Sequence, residues 1–152
     1  NMVHSLLHAA PLSGMHIAVA TPSHYAPDAG VVAEARTIAE QNETDVLITS
    51  DPYEAVADAD IIYTDVWVSM GQTDVPERVH ALEPYQVTGK LMGAARPSAK
   101  FMHCLPMHRG EEVTASVADG PQSIVFDQAE NRLHAHKAVL ALLCSSDAES
   151  LL

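Results

Sequence analysis

The chain has 152 residues, 47% of them hydrophobic, which is enough to bury one substantial core and too few for two. Twenty acidic residues against eight Lys and Arg give a formal net charge of −12, which disfavours nucleic acid or an anionic membrane as a partner. The two cysteines do not resemble a disulfide framework, and no segment is typical of a signal peptide or a membrane span, so a reducing cytoplasm is the expected location.

The order of apolar runs along the chain predicts an α/β fold. Residues 1–10 have a helical pattern that begins without an obvious cap, as though the chain had been cut from a larger protein. Short runs rich in β-branched residues then alternate with segments of helical period, which is typical of a parallel sheet covered on both faces. We therefore predict a single domain with a doubly wound, Rossmann-like sheet. Its five strands are expected at residues 15–20, 45–49, 61–65, 100–105 and 123–126.

Three helices are predicted between and after these strands. Residues 29–42 carry an apolar stripe of helical period, which should pack on the sheet. Asp51 followed by Pro52 is typical of a helix start, because the Asp can cap free amides and proline suits the first turn. Asp127 with Glu130 repeats this starting chemistry and predicts a long final helix.

Three reactive side chains follow consecutive predicted strands. The third, fourth and fifth strands run out into Asp65, Cys104 and Arg132, respectively. Ligands of doubly wound sheets bind at the carboxyl ends of the strands, so these ends can converge. A carboxylate, a thiol and a guanidinium at one edge would suit a ligand that carries an amine and an anionic group.

Each of these residues also has a purely structural interpretation. An Asp just past a strand is often only a turn or helix cap, and a Cys in an apolar strand is usually a small buried hydrophobe. Arg132 would lie in the first turn of the final helix, where the helix dipole disfavours a cation unless an anion is near. A surface salt bridge from Arg132 to Asp127 or Glu130 explains it about as well as a ligand does.

Other kinds of site have weaker support. His134 and His136 are two residues apart on a helix, so they face different directions and make no metal-ligand pair. Cys104 with His108 could be a nucleophile and its base, but the intervening proline and the lack of a third orienting group weaken that hypothesis. No glycine-rich phosphate loop follows a strand. We predict neither a metal site nor a cofactor.

The motifs together resemble one enzyme family. Residues 65–71, DVWVSMG, resemble the D-x-x-x-S-M-G loop of ornithine carbamoyltransferases, and residues 103–106 are similar to the family's H-C-L-P segment. Asn1 resembles the last Asn of the family's G-D-x-N-N segment. The likeness continues through residues 108–113, 120–123 and 126–135 and so covers essentially the whole chain.

The resemblance implies roles in binding L-ornithine. Asp65 would take the α-amino group, while Asn1 and the loop of Ser69 and Met70 would hold the carboxylate end. Acceptors other than ornithine stay open, because related carbamoyltransferases act on putrescine or on acylated ornithine. A stand-alone amino-acid-binding module without catalysis also stays open.

The resemblance likewise implies roles in carbamoyl transfer. The Cys104 sulfur would lie by the δ-amino group, the Leu105 carbonyl would accept from the carbamoyl nitrogen, and Arg132 would steady the carbamoyl oxygen. Residues 1–152 would form the carboxy-terminal, ornithine-binding domain. The amino-terminal domain that binds carbamoyl phosphate, with its S-T-R-T loop and H-P-x-Q segment, would be absent. The family's full enzyme is a homotrimer, and this chain alone is expected to show no useful turnover.

Overall fold

The computed structural model describes residues 1–68 and 75–145. Ser69 and Met70, two of the predicted ligand-binding residues, lie outside these ranges. The described chain forms seven α-helices and four strands, with short 3-10 turns at Ser23–Tyr25 and Glu83–Tyr85. In chain order the elements are α1 (Met2–Leu12), β1 (Ile17–Ala20), α2 (Ala29–Gln41), β2 (Val46–Thr49), α3 (Pro52–Val56), β3 (Ile61–Thr64), α4 (Val75–Leu82), α5 (Gly89–Met92), β4 (Lys100–His103), α6 (Ala115–Ala118) and α7 (Val125–Cys144).

The strands form two parallel pairs. Strand β1 pairs with β2, and β3 pairs with β4 in a register that sets Thr64 beside His103. Parallel pairing with helical connections confirms the predicted α/β class. The prediction of one sheet of about five strands is wrong for the described residues, which hold four strands in two separate sheets.

The predicted fifth strand at residues 123–126 is reduced to one isolated parallel bridge to Phe101, followed by the beginning of a helix. Two backbone hydrogen bonds join this segment to Phe101. The Phe101 amide donates to the Gln122 carbonyl at 2.8 Å, and the Phe101 carbonyl accepts from the Ile124 amide at 3.0 Å. Helix α7 then starts at Val125, before a strand can extend. Val125 is buried, so the apolar residues that suggested a strand serve to pack the first helical turn.

Two helix starts test the predicted capping chemistry, with one prediction confirmed and one wrong. The Asp51 side chain accepts from the Tyr53 amide at 2.8 Å and Pro52 opens α3, which confirms the predicted start. The first helix was expected to begin without a cap, and this is wrong. The Asn1 side chain accepts from the Met2 amide at 2.9 Å and caps α1.

The start of the final helix differs from its prediction. Helix α7 begins two residues before Asp127, and Ile124 at its N-cap position makes no side-chain hydrogen bond. Burial of Val125 in the first turn therefore fixes the start, rather than a capping carboxylate. As a consequence Arg132 lies in the third turn of α7, beyond the region where the helix dipole opposes a cation.

The main core lies around the β3–β4 pair. Phe101 in β4 is fully buried. Helices α1 and α2 contact each other, and α2 also contacts β2. Most apolar side chains of α7 are exposed, namely Phe126, Leu133, Val139, Leu140 and Leu143. The core consists of Val56, Ile62, Val87, Leu91, Met92, Phe101, Val113, Val117, Ala118 and Val125.

None of the helices in residues 1–68 and 75–145 combines the length and the apolar character needed to cross a bilayer.

Candidate functional site

Asp65 and Cys104 meet at the carboxyl end of the β3–β4 pair. They are the first residues beyond the paired Thr64 and His103, so parallel register alone brings them side by side. The Cys104 thiol donates to Oδ1 of Asp65, with 2.9 Å between sulfur and oxygen. The same oxygen accepts from the Val66 amide at 2.8 Å. Two of the three predicted site residues are therefore in contact.

The surroundings of Cys104 keep its thiol protonated. Burial raises the pKa of this thiol, and the hydrogen bond to the Asp65 carboxylate raises it further, because a thiolate would face a like charge. Burial also raises the pKa of the Tyr63 hydroxyl, with an added contribution from the neighbouring Cys104. The site thus presents a neutral thiol beside a carboxylate, rather than an activated nucleophile.

This geometry predicts that Asp65→Asn lowers the pKa of Cys104. Removing the carboxylate removes the charge that opposes the thiolate, so the pH profile of iodoacetamide alkylation should move to lower pH. At a fixed pH below the midpoint the rate should rise about threefold or more, since one pKa unit is about tenfold in thiolate. The profile is measured in a Cys144→Ser background, which leaves Cys104 as the only thiol. An unchanged or higher midpoint would contradict the proposed electrostatic coupling.

A buried pair of polar side chains supports the turn that follows Cys104. His103 and Glu112 are almost fully buried, and Nε2 of His103 lies 3.2 Å from Oε1 of Glu112. Nδ1 of His103 accepts from the Leu105 amide at 2.8 Å, so that nitrogen carries no proton and a neutral ring has its proton on Nε2. Burial lowers the pKa of His103, which agrees with a neutral ring. Oε1 of Glu112 accepts a hydrogen bond from the His108 amide at 2.5 Å.

This pair holds Leu105 in an unusual backbone conformation. Leu105 has φ of +57°, a left-handed conformation that costs a residue with a branched side chain on the order of 1 kcal/mol or more. The bond from its amide to His103 helps to offset that cost. Sequence reasoning missed both His103 and Glu112 as site residues, because they are nine positions apart and only the fold brings them together.

Helix α7 reaches the same strand end through Gln128. Its side-chain oxygen accepts from the His103 amide at 2.9 Å. Arg132 is one turn further along the same helix face and is exposed. In the described part of the chain, Arg132 does not contact Asp65 or Cys104. Among the same residues it also does not form the salt bridge to Asp127 or Glu130 that was the structural alternative.

The alternative of a Cys104 nucleophile with His108 as its base has no geometric support. His108 is exposed, and its Nδ1 lies 3.8 Å from Oε2 of Glu112. Cys104 instead donates to Asp65. His108, Glu111 and Glu112 do bring potential metal-ligand atoms within 4.8 Å of one another, although exposed acidic groups often cluster without an ion. The predicted absence of a metal site stays a prediction.

A cavity of about 570 Å³ opens beside Asp65. Asn1, at the start of α1, lines the same cavity, so two residues predicted to bind one ligand share one space although 64 positions separate them. Arg78 of α4 also lines it, and the sequence analysis did not single out this residue. Its Nε donates to the Trp67 carbonyl at 2.5 Å, and its guanidinium carbon lies 4.6 Å from the centre of the Tyr25 ring.

The arrangement is suited to a small zwitterionic ligand rather than to bond cleavage by a covalent nucleophile. A carboxylate can bind an ammonium group, and an amide and a guanidinium can bind an anionic group. The neutral thiol can orient an amine without reacting with it. The fixed turn at Leu105 presents a backbone carbonyl near the same strand end.

Comparison with known proteins gives consistent matches over nearly the whole chain. The family model described as aspartate/ornithine carbamoyltransferase, Asp/Orn binding domain, matches residues 1–143. An ornithine carbamoyltransferase of Anoxybacillus flavithermus is 53% identical over 144 residues, and one of Carboxydothermus hydrogenoformans is 54% identical over 144 residues. Each match covers 94% of this chain and 46% of the relative, so the chain spans about half the length of these relatives.

Solved structures agree with the sequence comparison. The ornithine carbamoyltransferase of Pyrococcus furiosus is 51% identical and superposes with a TM-score of 0.86, covering 91% of this chain and 44% of that one. The α/β class inferred from the sequence is confirmed by this neighbour as well.

Proposed function

Since this chain belongs to the aspartate/ornithine carbamoyltransferase family, as its Asp/Orn binding domain, we propose that it is the ornithine-binding half of an ornithine carbamoyltransferase. That reaction moves the carbamoyl group from carbamoyl phosphate to the δ-amino group of L-ornithine and yields citrulline and phosphate. The observation that carries the proposal is the contact of Cys104 with Asp65 at the end of paired strands, beside a cavity that Asn1 also lines.

Ornithine binding is assigned to residues that line that cavity. Asp65 takes the α-amino group, and Asn1 binds the carboxylate end together with Ser69 and Met70, which lie outside the described residues. The support is that Asn1 and Asp65 line one cavity. An ammonium and a carboxylate on one carbon need partners of different chemistry in one cavity, which a carboxylate and a side-chain amide provide.

Carbamoyl transfer is assigned to the turn after β4 and to helix α7. The neutral δ-amine attacks the carbamoyl carbon, a C–N bond forms, and the C–O bond to phosphate breaks with phosphate as the leaving group. Cys104 orients the amine, the Leu105 carbonyl accepts from the carbamoyl nitrogen, and Arg132 stabilises charge on the carbamoyl oxygen. The raised pKa of Cys104 disfavours a thiolate as the acceptor of the amine proton, which the departing phosphate can take.

The whole enzyme requires a second domain in this proposal. Residues 1–152 form the ornithine-binding domain, and carbamoyl phosphate is held mainly by an amino-terminal domain not included in this sequence. The proposed assembly is a cytoplasmic homotrimer, with neither nucleic acid nor a membrane as a partner. Arg132 lies exposed on α7, where a substrate held by a second domain could reach it.

Calorimetric titration of this chain tests the proposal. L-Ornithine should bind, and carbamoyl phosphate added afterwards should give little further heat, because most of its phosphate contacts belong to the other domain. A colorimetric assay should detect no citrulline from the chain alone. Absence of ornithine binding would contradict the assignment of the site, and steady citrulline formation would contradict the need for a second domain.

A further inference from the structure

Arg78 is a cation in the ligand cavity that the proposed contacts leave unused. It lies in α4 and is half-buried, and it is the only Lys or Arg among the cavity-lining residues that the structure describes. Asn1 and Asp65 line the same cavity, and these are the residues assigned to the α-carboxylate and the α-amino group of ornithine. A cation in this position can bind an anionic group of a ligand.

The contacts of Arg78 fix its guanidinium but do not neutralise it. Nε donates to the Trp67 carbonyl, and the Tyr25 ring lies under the guanidinium carbon. A carbonyl and an aromatic face both attract a cation, yet neither carries a formal charge. Within residues 1–68 and 75–145, no carboxylate forms an ion pair with Arg78. By contrast, Arg96 and Arg109 are paired with Asp60 and Asp119 on the surface.

The remaining donors of Arg78 match one functional group of the proposed substrate. With Nε engaged, the two terminal nitrogens still present N–H donors in a planar fork, which fits the two oxygens of a carboxylate. The chain has a net charge of −12, so a carboxylate entering the cavity is opposed unless a local cation attracts it. Asn1 is neutral and cannot supply that attraction.

We propose that Arg78 determines specificity by binding the α-carboxylate of the acceptor amino acid. The inference rests on the proposed function and adds a residue to it. Asp65 and Arg78 then form a charge pattern complementary to the α-ammonium and α-carboxylate groups, while the δ-amine extends towards Cys104. The site selects an α-amino acid over a diamine of the same chain length, because a diamine would leave the guanidinium without its anion.

The test compares L-ornithine with its α-amide, which has the same size but no carboxylate charge. Calorimetry or ligand competition gives the ratio of the two dissociation constants for the unmodified chain, Arg78→Gln and Arg36→Gln. Arg36 is exposed on α2 and does not line the cavity, so its variant matches the charge change and serves as the control. Arg78→Lys keeps the charge but not the fork.

Arg78→Gln should weaken ornithine binding about 10- to 100-fold and leave binding of the amide nearly unchanged. Arg78→Lys should fall between, and Arg36→Gln should match the unmodified chain. If Arg78→Gln weakens both ligands equally, or neither, the proposal is overturned; an equal loss would assign Arg78 only the structural role of joining Trp67 to Tyr25. Should Arg78→Gln fail to fold, Arg78→Lys decides by the same ratio. If the unmodified chain binds no ornithine, the proposed function fails and this inference with it.

Discussion

Asp65→Asn is expected to weaken the binding of L-ornithine about 100-fold. In our proposal the Asp65 carboxylate binds the α-ammonium group, and a hydrogen bond between charged partners contributes on the order of 1.5 to 3 kcal/mol. Asn keeps an oxygen for the Val66 amide, which now donates to Oδ1 of Asp65, so the local turn should survive. Calorimetric titration with ornithine measures the loss.

Asp60→Asn provides a matched control at the other end of the same strand. Asp60 directly precedes β3, whereas Asp65 directly follows it, and both substitutions remove one negative charge. Asp60 pairs with Arg96 at 2.9 Å, but both side chains are largely exposed, so losing that pair should change stability little. Ornithine affinity should be unchanged in this control. Equal weakening by both variants would mean that the effect of Asp65→Asn is not a direct contact.

Glu112→Ala is expected to lower the free energy of unfolding by about 2 to 4 kcal/mol. The side chain is fully buried and accepts from the His108 amide, and its loss also leaves Nε2 of His103 without a polar neighbour. A change of this size is large beside the total stability of a typical domain. Urea unfolding followed by circular dichroism measures it as a lower midpoint with an unchanged slope.

Two further variants distinguish the loss of the buried Glu112 contacts from the loss of any carboxylate at this turn. Glu111→Ala changes the adjacent, exposed carboxylate and should shift the midpoint by no more than about 0.5 kcal/mol. Glu112→Gln keeps an oxygen acceptor of the same length and should be milder than Glu112→Ala. If Glu112→Ala were as stable as the unmodified chain, the His103–Glu112 pair would have no supporting role.

The elements that could be predicted from the sequence are those fixed by local chemistry. Four of the five strands were located within a few residues, because each is a short run with apolar residues between polar segments. The start of α3 followed from its Asp51 cap. The prediction of the fifth strand was wrong because of tertiary contacts. The chain near residues 123–126 makes only two backbone hydrogen bonds with Phe101, and a helix that buries Val125 then begins.

The candidate site also contains residues that could be predicted from the sequence and residues that could not. The contact of Asp65 with Cys104 could be predicted, since equivalent ends of neighbouring parallel strands must lie together. Glu112 and Arg78 could not, because their importance comes from burial and from the walls of a cavity that distant segments build. Neither residue has a local pattern that distinguishes it from an ordinary surface charge.

The hydrogen bond between Gln128 and the His103 amide also restrains motion. It joins the final helix to the backbone one residue before Cys104, and Arg132 is one helical turn beyond Gln128. Because the helix is rigid over one turn, the backbone positions of Arg132 and Cys104 should move together rather than independently. The distance between their α-carbons would then fluctuate less than the position of either residue.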